Sequence, residues 1–252
     1  MLIDYQKANI YQKDGILVLK EADFHVDEGE FVYIIGRVGA GKSTLLKTLY
    51  FELDIDEAEK AVVLDHDLCK MKRKYIPALR RQMGIIFQDF QLLSDRTIHD
   101  NLLFVLQATG WKNKKEIEER IDAVLKAVEM SEAGNYFPHE LSGGEQQRIA
   151  IARAILNKPK IIIADEPTGN LDPETASNIL RLLRQITQTG TAVVMTTHNM
   201  PLLDMFPGIV YRCIDHRLEE ISNDFNKMAL CEEGEPEKPR KVDYSSREDL
   251  SL

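Results

Sequence analysis

The 252-residue sequence lacks the long apolar runs that membrane-spanning segments require. Its longest apolar runs, residues 31–35 and 102–106, contain five residues each, whereas a spanning helix needs about 20. The sequence also does not open with a basic stretch followed by an apolar one, so no signal peptide is predicted. We therefore expect a cytosolic protein that associates with a membrane only through a partner.

Cysteine and basic charge are also scarce. The three cysteines, Cys69, Cys213 and Cys231, are far apart and form no CxxC pair, which predicts neither a disulfide framework nor a zinc site. The 32 basic residues are outnumbered by 41 acidic ones, giving a net charge of −9. This balance argues against direct binding of nucleic acid, which favours a basic surface.

The hydrophobic pattern up to about residue 222 predicts one α/β domain. Residues 161–163 and 192–195 are short, fully apolar runs, as expected for parallel strands that are covered on both faces. A helical pattern lies between the two runs, so these elements predict a parallel sheet with crossover helices. Residues 1–35 predict an antiparallel β subdomain in which residues 27–30 form a turn before the strand at 31–35.

Two segments differ from this pattern. In residues 89–136, apolar side chains recur at helical spacing between charges, which predicts a helical insertion. Residues 223–252 contain eight acidic and five basic residues and few apolar ones, so we expect a charged, disordered C-terminal tail.

A glycine-rich loop lies between a predicted strand and a predicted helix. It has the pattern GxxxxGK[ST], which is the phosphate-binding P-loop pattern. Its residues are Gly36, Arg37, Val38, Gly39, Ala40, Gly41, Lys42 and Ser43, and Thr44 follows. Backbone N–H groups in such a loop wrap a phosphate at a helix N-terminus. We expect Lys42 to reach the β- and γ-phosphates of ATP and Ser43 to coordinate Mg²⁺.

A second motif ends the apolar run at residues 161–163. Asp165 and Glu166 follow this run directly, and the carboxyl ends of parallel strands are where such sheets bind ligands. We expect Asp165 to hold Mg²⁺ through water and Glu166 to orient and deprotonate the attacking water.

A third motif, Leu-Ser-Gly-Gly-Glu at residues 141–145, precedes a helical run. Ser142 and Glu145 have the spacing of a capping box, so one interpretation is simply a well-capped helix. However, Gly143 and Gly144 destabilise a helix relative to alanine, and they leave an open N-terminus of the size of a phosphate.

Along the chain the P-loop comes first, then the Leu-Ser-Gly-Gly-Glu motif, then the strand that ends in Asp165 and Glu166, and then a later histidine. With its motifs in this order, the chain resembles the ABC ATPase family over residues 1 to about 222. The resemblance implies a P-loop NTPase fold of the ABC type, with a parallel-sheet core, an N-terminal antiparallel β subdomain and a helical insertion. It also implies a head-to-tail homodimer, in which Ser142, Gly143 and Gly144 of one chain cap the γ-phosphate bound to the P-loop of the other.

The resemblance assigns further residues. Gln88 matches the residue that touches Mg²⁺ and links the core to the insertion, and Asp172 matches a dimer contact. His198 matches the switch histidine, and Tyr11 matches the aromatic residue that stacks on adenine. Two positions depart from the usual pattern: Arg37-Val38 replaces a pair such as Pro-Ser, and Asn199 replaces the aspartate after the histidine.

Residues 166–172 resemble the branch of the family that contains cell-division, lipoprotein-release and macrolide-export ATPases, and residues 92–101 and 157–159 favour cell division. This resemblance implies an integral membrane partner and a peripheral position on the cytoplasmic face of the inner membrane. The alternatives are a lipoprotein-release or macrolide-type exporter ATPase and an ABC ATPase acting on DNA or ribosomes. A nucleotide-binding scaffold without catalysis is a further alternative, which Glu166 and His198 disfavour.

Overall fold

The computed structural model describes residues 1–222, and the predicted tail, residues 223–252, lies outside the described residues. An antiparallel sheet forms the N-terminal part. Its strands are β1 (Ile3–Tyr11), β2 (Leu17–Val26), β4 (Lys60–Val63) and β5 (His66–Asp67), in the order β2-β1-β4-β5.

A six-stranded sheet forms the centre. Its strands are β3 (Phe31–Ile35), β6 (Met83–Ile86), β7 (Ile161–Ala164), β8 (Ala192–Thr196), β9 (Ile209–Ile214) and β10 (Arg217–Glu220), in the order β10-β9-β3-β8-β7-β6. Only the edge strand β10 is antiparallel. The strand at residues 31–35 therefore belongs to this sheet and not to the N-terminal hairpin, which consists of β1 and β2. All five of its residues are buried, which requires cover on both faces.

Seven α-helices lie around the sheets in the described part of the chain, residues 1–222. They are α1 (Lys42–Leu49), α2 (Ile76–Arg80), α3 (Ile98–Ala108), α4 (Lys114–Ala127), α5 (Gly143–Ile155), α6 (Pro173–Thr187) and α7 (Met200–Met205). Among residues 1–222, none of these helices combines the length and the apolar composition that crossing a membrane demands.

The central sheet separates two hydrophobic cores, because side chains alternate between the faces of a strand. Tyr33 and Ile162 point into one core, and Ile34 and Ile163 point into the other. The first core also contains the buried faces of α3, α4, α5 and α6, so the helices of the predicted insertion share a core with the sheet.

The parallel pairing brings the predicted site residues to one edge of the sheet. Ile34 of β3 pairs with Thr196 of β8, and Ile86 of β6 pairs with Ala164 of β7. The segments that follow these four strands therefore leave the sheet on the same side.

Candidate functional site

The P-loop has a backbone that requires glycine at specific positions. Gly36, Gly39 and Gly41 have φ angles of 145°, 82° and 101°, a region that other residues rarely adopt. A Cβ on Gly36 would lie 2.6 Å from the carbonyl oxygen of Cys213, and one on Gly41 would lie 2.2 Å from Val18 Cγ1. The glycines therefore let the loop pack closely against β9 and β2.

Lys42 lies inside this loop. Its side chain is buried, and the ammonium donates to the carbonyl oxygens of Gly36 at 3.0 Å and Arg37 at 3.2 Å. Gly41, the residue before α1, contributes no side-chain cap, so the first N–H groups of the helix are free to bind an anion. The unusual Val38 stands at the tip of the loop, 94% exposed.

Asp165 is the centre of a hydrogen-bonded group at the sheet edge. Its Oδ1 accepts from Ser43 Oγ at 3.0 Å and from Thr196 Oγ1 at 2.7 Å, and Thr196 Oγ1 accepts from the backbone N–H of Glu166 at 2.8 Å. The structure thus brings Ser43 and Asp165 together, as the two motifs predict. Sequence reasoning missed Thr196, whose only signal is a hydroxyl at the end of an otherwise apolar strand.

Glu166 and His198 also lie together. His198 Nδ1 is 3.3 Å from Glu166 Oε2, and the carboxylate is half-buried while the imidazole is exposed. Glu166 has a φ of 45°, a left-handed conformation that costs a non-glycine residue about 1–2 kcal/mol. Strain of this kind concentrates at functional sites.

A cavity of about 500 Å³ adjoins Asp165 and contains Gln88. Its wall also includes Lys47, Tyr50 and Asn170. The hydroxyl, carboxylate and carboxamide oxygens of Ser43, Asp165 and Gln88 are ligands that suit Mg²⁺. The donor set at this edge therefore fits magnesium.

Tyr11 lies at the end of β1, where it pairs with Leu17 at the start of β2. The next residue of β2, Val18, is the one that approaches Gly41. The Tyr11 hydroxyl donates to the Glu57 carboxylate at 2.8 Å. This hydrogen bond orients the half-exposed Tyr11 ring near the P-loop.

The Leu-Ser-Gly-Gly-Glu segment begins α5 with a reciprocal cap. The Glu145 carboxylate accepts from the Ser142 backbone N–H at 2.8 Å and from its hydroxyl at 2.7 Å, and the Glu145 N–H points back to the same hydroxyl at 3.4 Å. The Ser142 hydroxyl, followed by its backbone N–H, lowers the pKa of Glu145. A Cβ on Gly144 would meet Thr175 Cγ2 at 2.6 Å, so the glycine lets α5 approach α6.

The N-terminus of α5 faces a different cavity, of about 370 Å³. Its wall includes Ser142, Gly143, Gly144, Asn170 and Asp172. Residues 36–44 do not line it, and Asn170 alone lines both this cavity and the one at Gln88. The α5 N-terminus and the residues that surround Asp165 therefore line separate cavities that share only Asn170. Asp172 caps α6 by accepting from the N–H groups of Glu174 and Thr175.

A further cavity, of about 710 Å³, contains none of the predicted site residues. It lies at the opposite edge of the central sheet, beside Lys160 and Thr191, which precede β7 and β8. Because the hydrogen-bonded residues lie at the other edge, we place the chemistry there.

Residues 19–169 match the family described as ABC transporter, and the chain belongs to this ABC ATPase family. It is an ATP-binding protein that hydrolyses ATP.

Named relatives and solved structures agree with this assignment. The chain is 45% identical over 191 residues to the cell division ATP-binding protein FtsE of Streptococcus pneumoniae, covering 76% of this chain and 82% of that protein. It is 42% identical over 204 residues to FtsE of Bacillus subtilis, covering 81% and 88%. The ATP-binding cassette MJ0796, solved as a dimer in a post-hydrolysis state bound to ADP and Pi, superposes with a TM-score of 0.76 at 32% identity, covering 86% and 96%.

Proposed function

We propose that the chain is the ATPase subunit of a membrane complex of cell division, and that it works as a homodimer on the cytoplasmic face of the inner membrane. The relatives named for cell division support the role. The observation that carries the chemistry is the group in which Asp165 accepts hydrogen bonds from Ser43 and Thr196, next to the Glu166–His198 pair.

In this proposal each side chain has one task. The P-loop N–H groups and Lys42 bind the phosphates. Ser43, Asp165 and Gln88 would hold Mg²⁺, which would neutralise charge on the phosphate oxygens. Glu166 orients the attacking water and accepts its proton. His198 lies 3.3 Å from the Glu166 carboxylate and fixes its orientation. From this position His198 also stabilises the negative charge that develops on the phosphate during hydrolysis.

The second half of each site comes from the other chain. The α5 N-terminus lines a cavity separate from the P-loop, so Ser142, Gly143 and Gly144 remain available to cap a nucleotide held elsewhere. The cassette solved as a dimer supports a two-chain arrangement. Asn170 and Asp172, which line the wall of the same cavity, lie where contacts between chains are expected.

The dimer transmits closure to an integral membrane subunit resembling FtsX. We place the docking surface at residues 90–101, which connect the Gln88 segment to α3. Asn101 fixes this segment, because its buried carboxamide bonds the backbone of Leu93, Arg96 and Thr97. A change at Gln88 can therefore move the segment as a rigid body.

Charge reversal tests the docking surface. Asp95 is exposed, so Asp95→Lys is expected to weaken binding of the membrane subunit while the ATPase of the isolated chain stays unchanged. Asp122→Lys, on the exposed face of α4, makes the same charge change elsewhere and serves as the control. Equal binding by both variants in a pull-down from detergent would contradict this surface.

A cellular comparison separates the proposed role from the lipoprotein-release alternative. In a strain whose only copy carries Glu166→Gln, we expect unseparated cells and normally sorted lipoproteins. Normal separation with lipoproteins retained in the inner membrane would assign the chain to the alternative.

A further inference from the structure

The segment after Gln88 has an unfavourable backbone. Phe90 and Gln91 are consecutive non-glycine residues with φ angles of 59° and 48°, in the left-handed region that such side chains disfavour. Their backbone N–H groups bond only to nearby carbonyl oxygens within tight turns. Phe90 N–H donates to Phe87 at 3.3 Å, and Gln91 N–H donates to Asp89 at 2.6 Å. Something outside the segment must therefore stabilise this conformation.

Arg153 provides that stabilisation. Its Nη2 donates to the carbonyl oxygen of Phe90 at 2.8 Å, and its Nη1 donates to the carbonyl oxygen of Gln91. The planar guanidinium presents donors in a fixed fork, which matches two adjacent carbonyls. The side chain is half-buried, and within residues 1–222 no carboxylate lies within ion-pair distance of it.

Arg153 is in the last turn of α5, whose N-terminus is Ser142 and Gly143. The ring of Phe90 lies near this N-terminus, since Phe90 Cζ is 3.9 Å from the position that a Cβ on Gly143 would occupy. Residue 90 therefore lies close to both ends of the same helix. Gln91 and Gln88 line the same cavity beside Asp165.

We propose that Arg153 is a positioning residue for ATP hydrolysis. It holds residues 90 and 91 in the left-handed conformation. Gln88 and the N-terminus of α5 therefore keep a fixed position relative to each other and move together. This inference rests on the composite two-chain site proposed above, because only there does the α5 N-terminus meet nucleotide.

Arg153→Lys is the first test, because an ammonium cannot bond two adjacent carbonyls with the same fixed geometry. We expect kcat to fall by about tenfold, the lower end of the range for residues that orient a metal ligand. KM for ATP should stay within about twofold, since the P-loop is untouched.

The matched control is Arg120→Lys. Arg120, on α4, also donates to two consecutive carbonyls, those of Ile155 and Leu156 at the end of α5. The same substitution there removes the same kind of contact without touching residues 88–91. It should lower the melting temperature comparably and leave kcat unchanged.

Hydrogen exchange provides a readout that needs no turnover, dimer or membrane partner. In Arg153→Lys we expect the amides of Phe90 and Gln91 to exchange about tenfold faster, as loss of one good hydrogen bond allows. Arg120→Lys should leave them unchanged. Faster exchange without a loss of kcat would show that the conformation of residues 90 and 91 does not position the groups that hydrolyse ATP, whereas unchanged exchange would show that Arg153 does not hold that conformation. Neither outcome bears on the composite site, which mixed dimers test separately.

A double-mutant cycle completes the test. Asparagine adopts left-handed backbone more readily than glutamine, so Gln91→Asn should reduce the effect of Arg153→Lys on exchange and on kcat. Strictly additive effects would show that Arg153 does not act through this backbone.

Discussion

At the N-terminus of α1 no side chain caps the backbone N–H groups, whereas at the N-terminus of α5 Ser142 and Glu145 cap each other. Both helices begin beside glycine and both leave orphan donors in the first turn. At α1 these donors are uncapped, and the Lys42 ammonium lies within the loop beside them. At α5 the Glu145 carboxylate occupies the opening, and its pKa is lowered by the bonds from Ser142, so it stays charged.

The N-termini of α1 and α5 therefore differ in what each can bind without a second chain. The α1 end has the donors and the cation to hold phosphate within one chain. The α5 end is stable by itself but carries a negative charge where an anion would enter, which opposes binding. We therefore expect ATP to bind first at α1 of each chain, and α5 to engage phosphate whose charge Lys42 and Mg²⁺ already offset.

Replacing the proposed catalytic base, Glu166, gives the largest expected effect on ATP hydrolysis. Glu166→Gln keeps the shape of the side chain but cannot accept a proton, so hydrolysis should fall by about 10²–10⁴-fold. ATP binding at α1 should persist, and the variant should accumulate as an ATP-bound dimer on size exclusion. Phosphate release and elution volume measure the two effects.

The control for this change is Glu174→Gln, which alters an exposed carboxylate in the first turn of α6. It should hydrolyse ATP at the native rate. Native turnover in Glu166→Gln would mean that another group is the base.

Blocking the α5 end comes next. Ser142→Arg fills the opening with a bulky cation and should reduce turnover by about 10²–10³-fold, the effect of losing a transition-state donor. Binding of a fluorescent ATP analogue to the monomer should be unchanged, because Ser142 does not line the Gln88 cavity.

A mixture of chains tests whether the α1 and α5 ends of different chains combine. Ser142→Arg has an intact P-loop, and Lys42→Ala has an intact α5 end, so a mixed dimer contains one complete site. Activity of the mixture should exceed the sum of the separate variants. No gain at any mixing ratio would mean that both ends act within one chain.

Tyr11 tests how the α1 end selects its nucleotide. Stacking of a base on an aromatic ring contributes about 1–3 kcal/mol, so Tyr11→Ala should weaken ATP binding by about tenfold. Tyr11→Phe loses only the bond to Glu57 and should bind nearly as well. Equal affinity of the native chain and Tyr11→Ala would remove the stacking role.

The sequence singled out the groups whose proposed roles follow from residue type. The spacing of the motifs predicts the chemistry of Lys42, Ser43, Asp165 and Glu166. The structure places Ser43 beside Asp165. The buried run at residues 31–35 correctly indicated a covered strand, yet its partners are long-range. Pairing of β3 with β8 and β9 depends on contacts across about 160 to 180 residues, which no local pattern encodes.

Residues that act through geometry were not predictable. Thr196 contacts Asp165 across 31 positions, and its hydroxyl differs little from the other small residues that end strands. Arg153 appears as one more charge on an amphipathic helix until the φ angles of Phe90 and Gln91 are known. Positive φ at non-glycine residues has no reliable sequence signal.

The smallest expected effect concerns the helical part that carries the α5 end. His99 of α3 lies 2.9 Å from Glu118 of α4 and 3.5 Å from Asp100. Burial alone would lower its pKa, but the bonds to Glu118 and Asp100 outweigh burial and raise the pKa above its usual 6.5. The stabilisation is therefore complete below pH 6.5 and is lost as pH rises through the folded-state pKa.

His99→Gln should remove this pH dependence and cost no more than about 0.5 kcal/mol of unfolding free energy, because solvent screens partly exposed pairs. Urea unfolding at pH 6 and pH 8 measures it, with His139→Gln, an exposed histidine outside this contact, as the control. ATP binding by the monomer should not change, since α3 and α4 do not contribute to the P-loop. A loss of ATP binding by the His99→Gln monomer would show that the α1 and α5 ends are already coupled within one chain. That result would contradict the difference between the two ends.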